Sequence, residues 1–404
     1  MLCGLDQLFS GELGAVRKRL RGARVGLVTH AAAVDRSGRD AIATLEELGA
    51  GPAIVFTPEH GFFPKHQAQE AVPAGPPAAE AARFVSLYGT TKDSLSPNPS
   101  DLEGLDLLVI DLCDVGSRYY TYVWTALLAA RAAVALGIHT LILDRPNPIS
   151  GAAPIVEGKA QQAEFLSFVG LEPLPIRHGL TLGELLCLYL ERDGVALGPE
   201  GAVSVVPVRG WERHQTASAW NRPFSPPSPN MPTVETALVY PGACLLEGTN
   251  LSEGRGTTLP FQMVGAPFLD AKKLATELRE LGTPGAQVRP IQFQPTFDKH
   301  AGKVCQGVLV QVTNWRLFRP VACYLSLIAL AKGHAPDDFQ FSTGAYEFET
   351  DRPAFDLLTG SDVVRRALLD NATPADLQDL LCPVDPGWAE TMLEAESRVE
   401  KARA

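Results

Sequence analysis

The chain has 404 residues, a formal net charge of −11 and a pI of about 5.3. This length predicts two or three domains, because one core rarely serves so long a chain. The acidic balance argues against a nucleic-acid-binding protein, which would carry a basic face. The hydrophobic and charged fractions, 46% and 20%, are those of a soluble globular protein.

The cysteines and histidines give little support for a metal site. The seven cysteines are scattered and form no Cys-x-x-Cys pair, so free thiols are expected. The eight histidines show no helical i, i+4 pair, and no glycine-rich dinucleotide fingerprint follows the first strand. We therefore expect neither a metal nor another cofactor.

Targeting signals are also missing from the sequence. No basic and apolar leader opens the chain, and no stretch approaches 18 uninterrupted apolar residues. We expect a cytoplasmic protein with no membrane span.

The first predicted elements alternate between helix and strand. A helix is predicted over Leu5–Leu20, with basic residues in its last turn. Apolar runs at 23–29 and 53–56 predict buried strands, and a helix is predicted between them at 41–48. This strand–helix–strand order predicts a parallel βαβ unit.

The second of these strands leads into the motif Thr57–Phe62, which reads TPEHGF. Glu59 and His60 follow the carboxyl end of the strand, where ligands bind in open α/β sheets. Pro58 and Gly61 are suited to a tight turn that would hold both side chains at a cleft. The alternative is a polar loop in which His60 caps a neighbouring group and Glu59 meets water.

Two further predicted strands, at 105–112 and 140–143, also end in polar clusters. These clusters comprise Asp111, Asp114, Arg118, Tyr119, Tyr120 and Tyr122 after the first strand, and Asp144, Arg145 and Asn147 after the second. Because parallel strands end at the same sheet edge, three strands would deliver acids and arginines to one site. Alternatively, Asp144 and Arg145 pair with each other and stabilise a proline-rich turn.

A proline-rich segment, WNRPFSPPSPNMP at 220–232, predicts a rigid connector. We place the domain boundary at its end, which gives domains of residues 1–232 and 233–404. Beyond it, the stretch EGTNLSEGRGT at 247–257 predicts a tight, hydrogen-bonded loop. Arg255 in this loop is a candidate anion ligand, since a guanidinium binds a carboxylate with two hydrogen bonds.

Carboxylates, tyrosines and arginines at one sheet edge suit glycoside hydrolysis. In that reaction one carboxylic acid protonates the leaving oxygen, and a second group stabilises an oxocarbenium-like transition state. The sequence has no Gly-x-Ser-x-Gly nucleophile elbow, which argues against an α/β-hydrolase.

The motifs TPEHGF, SLYG, DVGSRYYTY, LDRPNP, SFVG, RHGLTLGE, PSPNMP, EGTNLSEGRGT and FDLLTG occur in this order. Together they resemble the DUF1343 family, whose characterised members are exo-β-N-acetylmuramidases of glycoside hydrolase family 171. The resemblance implies an α/β fold, with a Rossmann-like parallel sheet domain that binds no nucleotide. It also implies a smaller α+β C-terminal domain and a cleft between the two. The implied reaction releases terminal N-acetylmuramic acid (MurNAc) from the non-reducing end of peptidoglycan fragments.

The resemblance also implies site residues. Glu59 would be the catalytic acid with His60 beside it, and either Asp114 or the substrate's own acetamido group would stabilise the transition state. The acid role requires Glu59 to be protonated near neutral pH, hence partly buried or close to another carboxylate. The implied substrate-binding residues are Asp111, Arg118, Tyr119, Tyr120, Tyr122, Asp144, Arg145, Asn147, His178, Asn230, Glu247, Asn250, Ser252, Glu253, Arg255 and Thr257.

MurNAc carries a lactyl carboxylate, so we expect at least one of Arg118, Arg145 or Arg255 to meet it. His178 is a candidate ligand contact or a capping histidine. Residues 63–82 depart from the family pattern, and this loop is a candidate lid or rim of the site. The expected partner is a peptidoglycan-derived oligosaccharide, imported and cleaved during cell-wall recycling.

Two other functions stay open on the sequence. One is a non-catalytic muropeptide-binding protein on the same scaffold, because a fold does not determine a function. The other is a glycosidase for another amino sugar.

Overall fold

The computed structural model describes residues 1–63, 66–72 and 82–404. Its larger sheet has six strands, all parallel, in the order β3-β2-β1-β4-β5-β6. The strands are β1 Val25–Thr29, β2 Ile54–Thr57, β3 Arg83–Ser86, β4 Leu107–Asp111, β5 His139–Leu143 and β6 Val203–Val206. This is the Rossmann-like strand order. The chain adds strands in one direction from β1 to β3 and in the opposite direction from β4 to β6, so the switch point lies between β1 and β4.

Helices cover both faces of this sheet. They are α1 Gly4–Gln7, α2 Gly14–Leu20, α3 Ala41–Glu47, α4 Pro99–Leu102, α5 Tyr122–Ala135 and α6 Leu182–Arg192. Along β4, Leu107 and Val109 pack in the cluster that contains α1 to α3, whereas Leu108 and Ile110 pack in the cluster that contains α5 and α6. Successive strand residues point to opposite faces, so a sheet covered on both faces needs strands that are apolar throughout.

The prediction of one helix over Leu5–Leu20 is wrong, because the structure has two helices, α1 and α2. Gly4 donates its backbone N–H to the carbonyl oxygen of Asp144. A Cβ atom on Gly4 would lie 2.6 Å from the Cα of Leu143. This close approach packs α1 against the end of β5, and a 3₁₀ turn at Gly11–Leu13 redirects the chain into α2.

The remaining chain forms a smaller α+β unit. Its sheet is antiparallel in the order β7-β9-β8. The elements are α7 Val234–Ala243, β7 Met263–Ala266, α8 Ala271–Leu281, β8 Ala286–Phe293, β9 Cys305–Val312, α9 Pro320–His334, α10 Ala354–Thr359, α11 Val363–Leu369, α12 Pro374–Leu381 and α13 Trp388–Lys401. The expected fold class, a Rossmann-like sheet with a smaller α+β unit, is confirmed.

The two units are joined by more than the connector. The last helix, α13, packs back against α6 of the larger sheet, and Glu191 on α6 accepts from Arg398 and Lys401 at 2.6 Å each. The buried Arg118 donates to the carbonyl oxygen of Leu358 at 2.6 Å. The walls of the cleft between the units are therefore held by direct contacts, while the boundary after residue 232 stays a prediction.

The helices that the structure describes include none that is both long enough and apolar enough to cross a membrane.

Candidate active site

Glu59 lies in the turn after β2 and is only 5% exposed. One carboxylate oxygen, Oε1, accepts a hydrogen bond from the backbone N–H of Gln69 at 3.0 Å. The other, Oε2, accepts from the hydroxyl of Thr121 at 2.8 Å. The hydroxyl of Tyr122, at the start of α5, lies 3.0 Å from the Glu59 carbonyl oxygen. The start of α5 therefore holds both the backbone and the carboxylate of Glu59.

His60 has a left-handed backbone, with φ of +70°. For a residue other than glycine this conformation costs about 1–3 kcal/mol and survives only where the surroundings impose it. Its Nδ1 atom lies 2.8 Å from the carbonyl oxygen of His66 and donates to it. Burial lowers the pKa of His60, against the opposing effect of the adjacent carboxylate. At neutral pH His60 is an uncharged neighbour of Glu59.

Glu59 faces a narrow inner cavity to which both units contribute. Its lining consists of Glu59, His60, Ala68, Tyr119, Tyr120, Thr121, Val169, Ser228, Asn230, Met231, Tyr240, Glu247, Arg255, Phe261, Tyr346 and Glu347. A wider outer cavity of about 490 Å³ adjoins it, lined by Gln67, Ala68, Gln69, Glu70, Glu247, Glu253, Arg255, Phe297, Asp298 and Lys299. The outer volume is within the range of small-molecule sites.

The segment Gln67–Glu70 separates Glu59 from the outer cavity. Besides the bond from Gln69, the side-chain oxygen of Gln67 accepts from the amide nitrogen of Asn230 at 2.7 Å. The inner cavity, about 40 Å³, is far smaller than the outer one, about 490 Å³. This segment belongs to the loop predicted as a lid or rim, of which residues 64–65 and 73–81 lie outside the described residues.

Three acids line the inner cavity: Glu59, Glu247 and Glu347. Glu347 is not among the site residues predicted from the sequence. It is 6% exposed, and its Oε2 accepts a hydrogen bond from the hydroxyl of Tyr88 at 2.8 Å. Burial and then the nearby Glu59 carboxylate raise the pKa of Glu347 well above its ordinary value. The one available sequence signal was an acid between two aromatic residues, Tyr346 and Phe348, in an irregular segment.

The loop EGTNLSEGRGT brings a charged network to the rim. Arg255 donates through Nη2 to Glu247 at 2.7 Å and through Nε to Glu253 at 3.0 Å. Lys299 donates to the second oxygen of Glu253 at 3.1 Å. Burial alone would raise the pKa of Glu253, but Lys299 and Arg255 outweigh it and hold that pKa below its ordinary value. Arg255 and Lys299 thus face Glu247 and Glu253 at the entrance, and a third acid, Asp298, lies 3.8 Å from Nε of Arg255.

Asp114 lies in a different cavity from Glu59. One of its oxygens accepts from the backbone of Gly116 at 2.9 Å and lies 3.4 Å from Nε2 of His178. Asp114 and Arg145 line a separate cavity with Cys113, Trp220 and Arg222 among others. A catalytic role for Asp114 stays a prediction, and the acids that share a cavity with Glu59 are Glu247 and Glu347.

The polar groups after β4 and β5 bind one another. Arg145 donates to both oxygens of Asp111, with the Nη2–Oδ2 distance at 2.8 Å. Asp144 accepts from the Gly183 backbone at 2.7 Å and the Thr181 hydroxyl at 2.8 Å, at the start of α6. Burial raises the pKa of Asp144 to about 6. The side chains of Asp144 and Arg145 do not pair with each other, contrary to the alternative interpretation of this turn.

Most other predicted pocket residues support backbone segments. Five side chains donate to backbone carbonyl oxygens: Arg118 to Lys159 and Leu174, Asn147 to Leu180, Tyr122 to Pro227, Asn250 to Asp338 and Thr257 to Gly254. Two side chains accept from backbone N–H groups: Ser252 from Gly254 and His178 from Leu180. As far as the structure describes the two cavities at Glu59, their linings do not include these side chains. Tyr119, Tyr120, Asn230, Glu247 and Arg255 do line the inner cavity.

In the described part of the chain, no three histidine, cysteine or acidic side chains come together as a metal site.

Solved structures share this architecture. A DUF1343 family protein from Bacteroides fragilis NCTC 9343 matches with a TM-score of 0.81 and 27% identity, over 99% of this chain and 98% of that chain. A second DUF1343 family protein from the same organism matches with a TM-score of 0.69 and 24% identity, over 100% and 98% of the two chains, and this likeness shows the fold alone. The molecule has the DUF1343 fold, with a buried acid in the cleft between its two units.

Sequence comparison specifies the family within that class. The models of the exo-β-N-acetylmuramidase NamZ N-terminal and C-terminal domains match residues 25–235 and 238–389. The peptidoglycan β-N-acetylmuramidase NamZ of Bacillus subtilis (strain 168) is 39% identical over 378 residues, covering 92% of this chain and 85% of the relative. The chain belongs to the exo-β-N-acetylmuramidase NamZ family, a family of glycosidases, and the resemblance seen in its motifs is confirmed.

Proposed function

We propose that this protein is an exo-acting glycoside hydrolase that releases terminal MurNAc from the non-reducing end of peptidoglycan fragments. The activity of the Bacillus subtilis relative, 39% identical over 92% of the chain, supports the substrate class. The observation that carries the proposal is the burial of Glu59 in a cavity that it shares with Glu247 and Glu347. Buried and crowded carboxylic acids are the usual proton donors to glycosidic oxygens.

Glu59 is the general acid in this proposal. It is 5% exposed and shares the inner cavity with two other acids, Glu247 and Glu347. Its proton passes to the glycosidic oxygen as the bond from that oxygen to the anomeric carbon breaks. Water then adds to the anomeric carbon, which yields free MurNAc and a shortened fragment.

Arg255 is the best placed of the three predicted arginines to bind the lactyl carboxylate. Arg118 is buried against backbone carbonyls, and Arg145 is held by Asp111 in another cavity. Arg255 lines both the inner and the outer cavity, and its acidic partners orient the guanidinium. Lys299 adds a second positive charge at the same rim.

In this proposal the substrate reaches Glu59 after a movement of Gln67–Glu70. The inner cavity in this conformation is about 40 Å³, far below the roughly 300–1,000 Å³ of ordinary small-molecule sites. Withdrawal of the segment would break the bonds from Gln69 to Glu59 and from Asn230 to Gln67, and would join the inner cavity to the outer one.

The test is hydrolysis of a MurNAc–GlcNAc disaccharide, whose leaving group is a poor one and needs a proton. We expect Glu59→Gln to lose at least about a hundredfold in kcat, the usual size of an acid–base contribution. The exposed Glu103→Gln is the matched control and should retain full activity. A Glu59→Gln enzyme of nearly normal speed would contradict the acid role.

Two other outcomes address the competing functions. Binding of the disaccharide without cleavage by the wild-type protein would favour a muropeptide-binding role. Equal cleavage of GlcNAc and MurNAc glycosides, which differ by the lactyl group, would favour a glycosidase for another amino sugar.

A further inference from the structure

Hydrolysis of a glycoside ordinarily needs a second carboxylate besides the acid. The predicted candidate, Asp114, lines a separate cavity and lies beside His178. Of the two other acids that share the inner cavity with Glu59, Glu247 is held in an ion pair with Arg255 at 2.7 Å. This leaves Glu347 as the acid in that cavity whose recorded partner, a tyrosine hydroxyl, is neutral.

Glu59 and Glu347 reach the cavity from different units. Glu59 follows β2 of the large sheet, whereas Glu347 lies between α9 and α10 of the smaller unit. Tyr88, which follows β3, reaches across from the large unit to bond Glu347 at 2.8 Å. A substrate bound between the units would therefore have one acid on each wall of the cleft.

The turn that presents Glu347 is strained and held from several sides. Glu347 and Phe348 have φ values of +47° and +67°, which residues other than glycine rarely adopt. Tyr346 and Glu349 exchange two backbone hydrogen bonds of 2.9 Å across this turn. Lys92 of the large unit pairs with Glu349 at 2.6 Å. Strain imposed by surrounding contacts is characteristic of active sites, and His60 beside Glu59 shows it as well.

The electrostatic surroundings suit a base. The charged and titratable groups that face Glu347 are Glu59, Glu247, Arg255 and the hydroxyl of Tyr88. Burial, followed by the Glu59 carboxylate, raises the pKa of Glu347. Glu59 raises the pKa of Glu347 only while it is itself ionised, so a Glu59 that holds the proton for the leaving oxygen favours the ionised form of Glu347 that a base requires.

We propose that Glu347 is the second catalytic carboxylate, the base that takes a proton from the attacking water while Glu59 protonates the leaving oxygen. This inference rests on the proposed function. The bond between the anomeric carbon and the glycosidic oxygen breaks, its electron pair stays on that oxygen, and Glu59 supplies the proton. The water oxygen bonds to the anomeric carbon, and its released proton goes to Glu347. One water is consumed, and proton exchange with solvent restores both acids.

The experiment compares leaving groups. Turnover of the MurNAc–GlcNAc disaccharide and of 4-nitrophenyl-β-MurNAc, whose aglycone leaves without a proton, is measured for the wild type, Glu59→Gln and Glu347→Gln. Glu347→Gln should lose at least about a hundredfold in kcat on both substrates. Glu59→Gln should lose much less on the nitrophenyl substrate than on the disaccharide. The exposed Glu280→Gln on α8 of the same unit is the matched control and should keep wild-type kcat.

Chemical rescue separates a base from a structural residue. Sodium azide should restore nitrophenyl release by Glu347→Ala and produce a glycosyl azide, since the anion needs no base to attack. If Glu347→Ala does not fold, Glu347→Asp keeps the carboxylate at a shorter reach, and its kcat should fall while its KM stays within a few fold.

Three results would overturn the inference. They are a Glu347→Gln enzyme within a few fold of wild-type kcat, no azide product from a folded Glu347→Ala enzyme, and an unchanged kcat for Glu347→Asp. In each case an active wild type leaves the proposed function intact. A wild-type protein that cleaves neither substrate would overturn both proposals.

Discussion

The carboxyl edge of the large sheet carries two acid-containing regions with different roles in the structure. After β4 and β5, Asp111 pairs with Arg145, and Asp144 accepts hydrogen bonds from the start of α6 and lines neither of the two cavities at Glu59. After β2, the recorded partners of Glu59 are a backbone N–H and a threonine hydroxyl. An acid bound to neutral donors beside a cavity can exchange a proton with a ligand, whereas an acid in a buried ion pair stabilises the fold.

The largest expected effect is the loss of stability when the buried Arg145–Asp111 pair is broken. Arg145→Ala leaves Asp111, which is fully buried, without its ion-pair partner. We expect the free energy of unfolding to fall by about 3–5 kcal/mol, the usual cost of breaking a buried pair. Denaturant titration measures it, and kcat per folded molecule should change little.

Arg83→Ala is the control for this prediction. Arg83 is 61% exposed and pairs with Asp101 at the edge of the same sheet. An exposed pair contributes about 0–1 kcal/mol, so the loss should be small. Equal losses of unfolding free energy for the two variants would mean that the buried Arg145–Asp111 pair stabilises the fold no more than an exposed pair does.

The second prediction concerns the pH dependence of stability. Burial raises the pKa of Asp144 to about 6 in the folded protein, above its ordinary value. The folded state therefore binds this proton more tightly than the unfolded state, and the resulting stability is present at about pH 4 and lost as the pH rises through about 6.

Asp144→Asn removes this titration. The difference in unfolding free energy between wild type and variant should change between about pH 4 and pH 7 by at most about 3 kcal/mol. Denaturant titrations at several pH values measure it. A constant difference would show that Asp144 is ionised throughout, which its three hydrogen-bond donors, the Thr181 hydroxyl and the backbone N–H groups of Gly183 and Arg145, would favour.

The smallest predicted effect tests the cleft. Arg255→Lys keeps the positive charge but loses the forked geometry that binds a carboxylate. We expect the preference for MurNAc over GlcNAc glycosides, measured as a ratio of kcat/KM values, to fall by about tenfold or more, the size of one charge-assisted hydrogen bond. Because this readout is a ratio, partial unfolding does not change it.

The exposed Arg289→Lys on β8 of the same unit is the matched control and should leave the ratio unchanged. An unchanged ratio for Arg255→Lys would mean that Arg255 does not bind the lactyl carboxylate. Lys299 would then be the next residue to substitute.

Much of the fold follows from local sequence patterns. The apolar runs that end at Thr29, Phe56 and Leu143 predict the positions of β1, β2 and β5 within two residues. Buried parallel strands must be apolar on both faces, so they stand out in the sequence. The helix α7 was not predicted, because Pro241 lies inside it and proline usually ends a helix.

The site was only partly predictable. Glu59 and Arg255 lie in recognisable motifs, and the structure places both at the same cavity. Asp114 and Arg118 lie in an equally recognisable motif. Asp114 nevertheless lines another cavity, and Arg118 is fully buried in the interior. Glu347 belongs to an irregular segment with no period, and an acid between two aromatic residues does not by itself place the side chain in a cavity.

The sequence by itself determined the family, the parallel sheet and the placement of acids after three strands, because these depend on local patterns and ordered motifs. The tertiary structure alone decided which of those acids lines the cavity between the two units. That outcome depends on partners far away in the chain: Arg145 for Asp111, Thr181 for Asp144, and Glu347 across the cleft from Glu59. Burial and charge pairing between distant residues arise only when the two units pack together, and no local pattern encodes them.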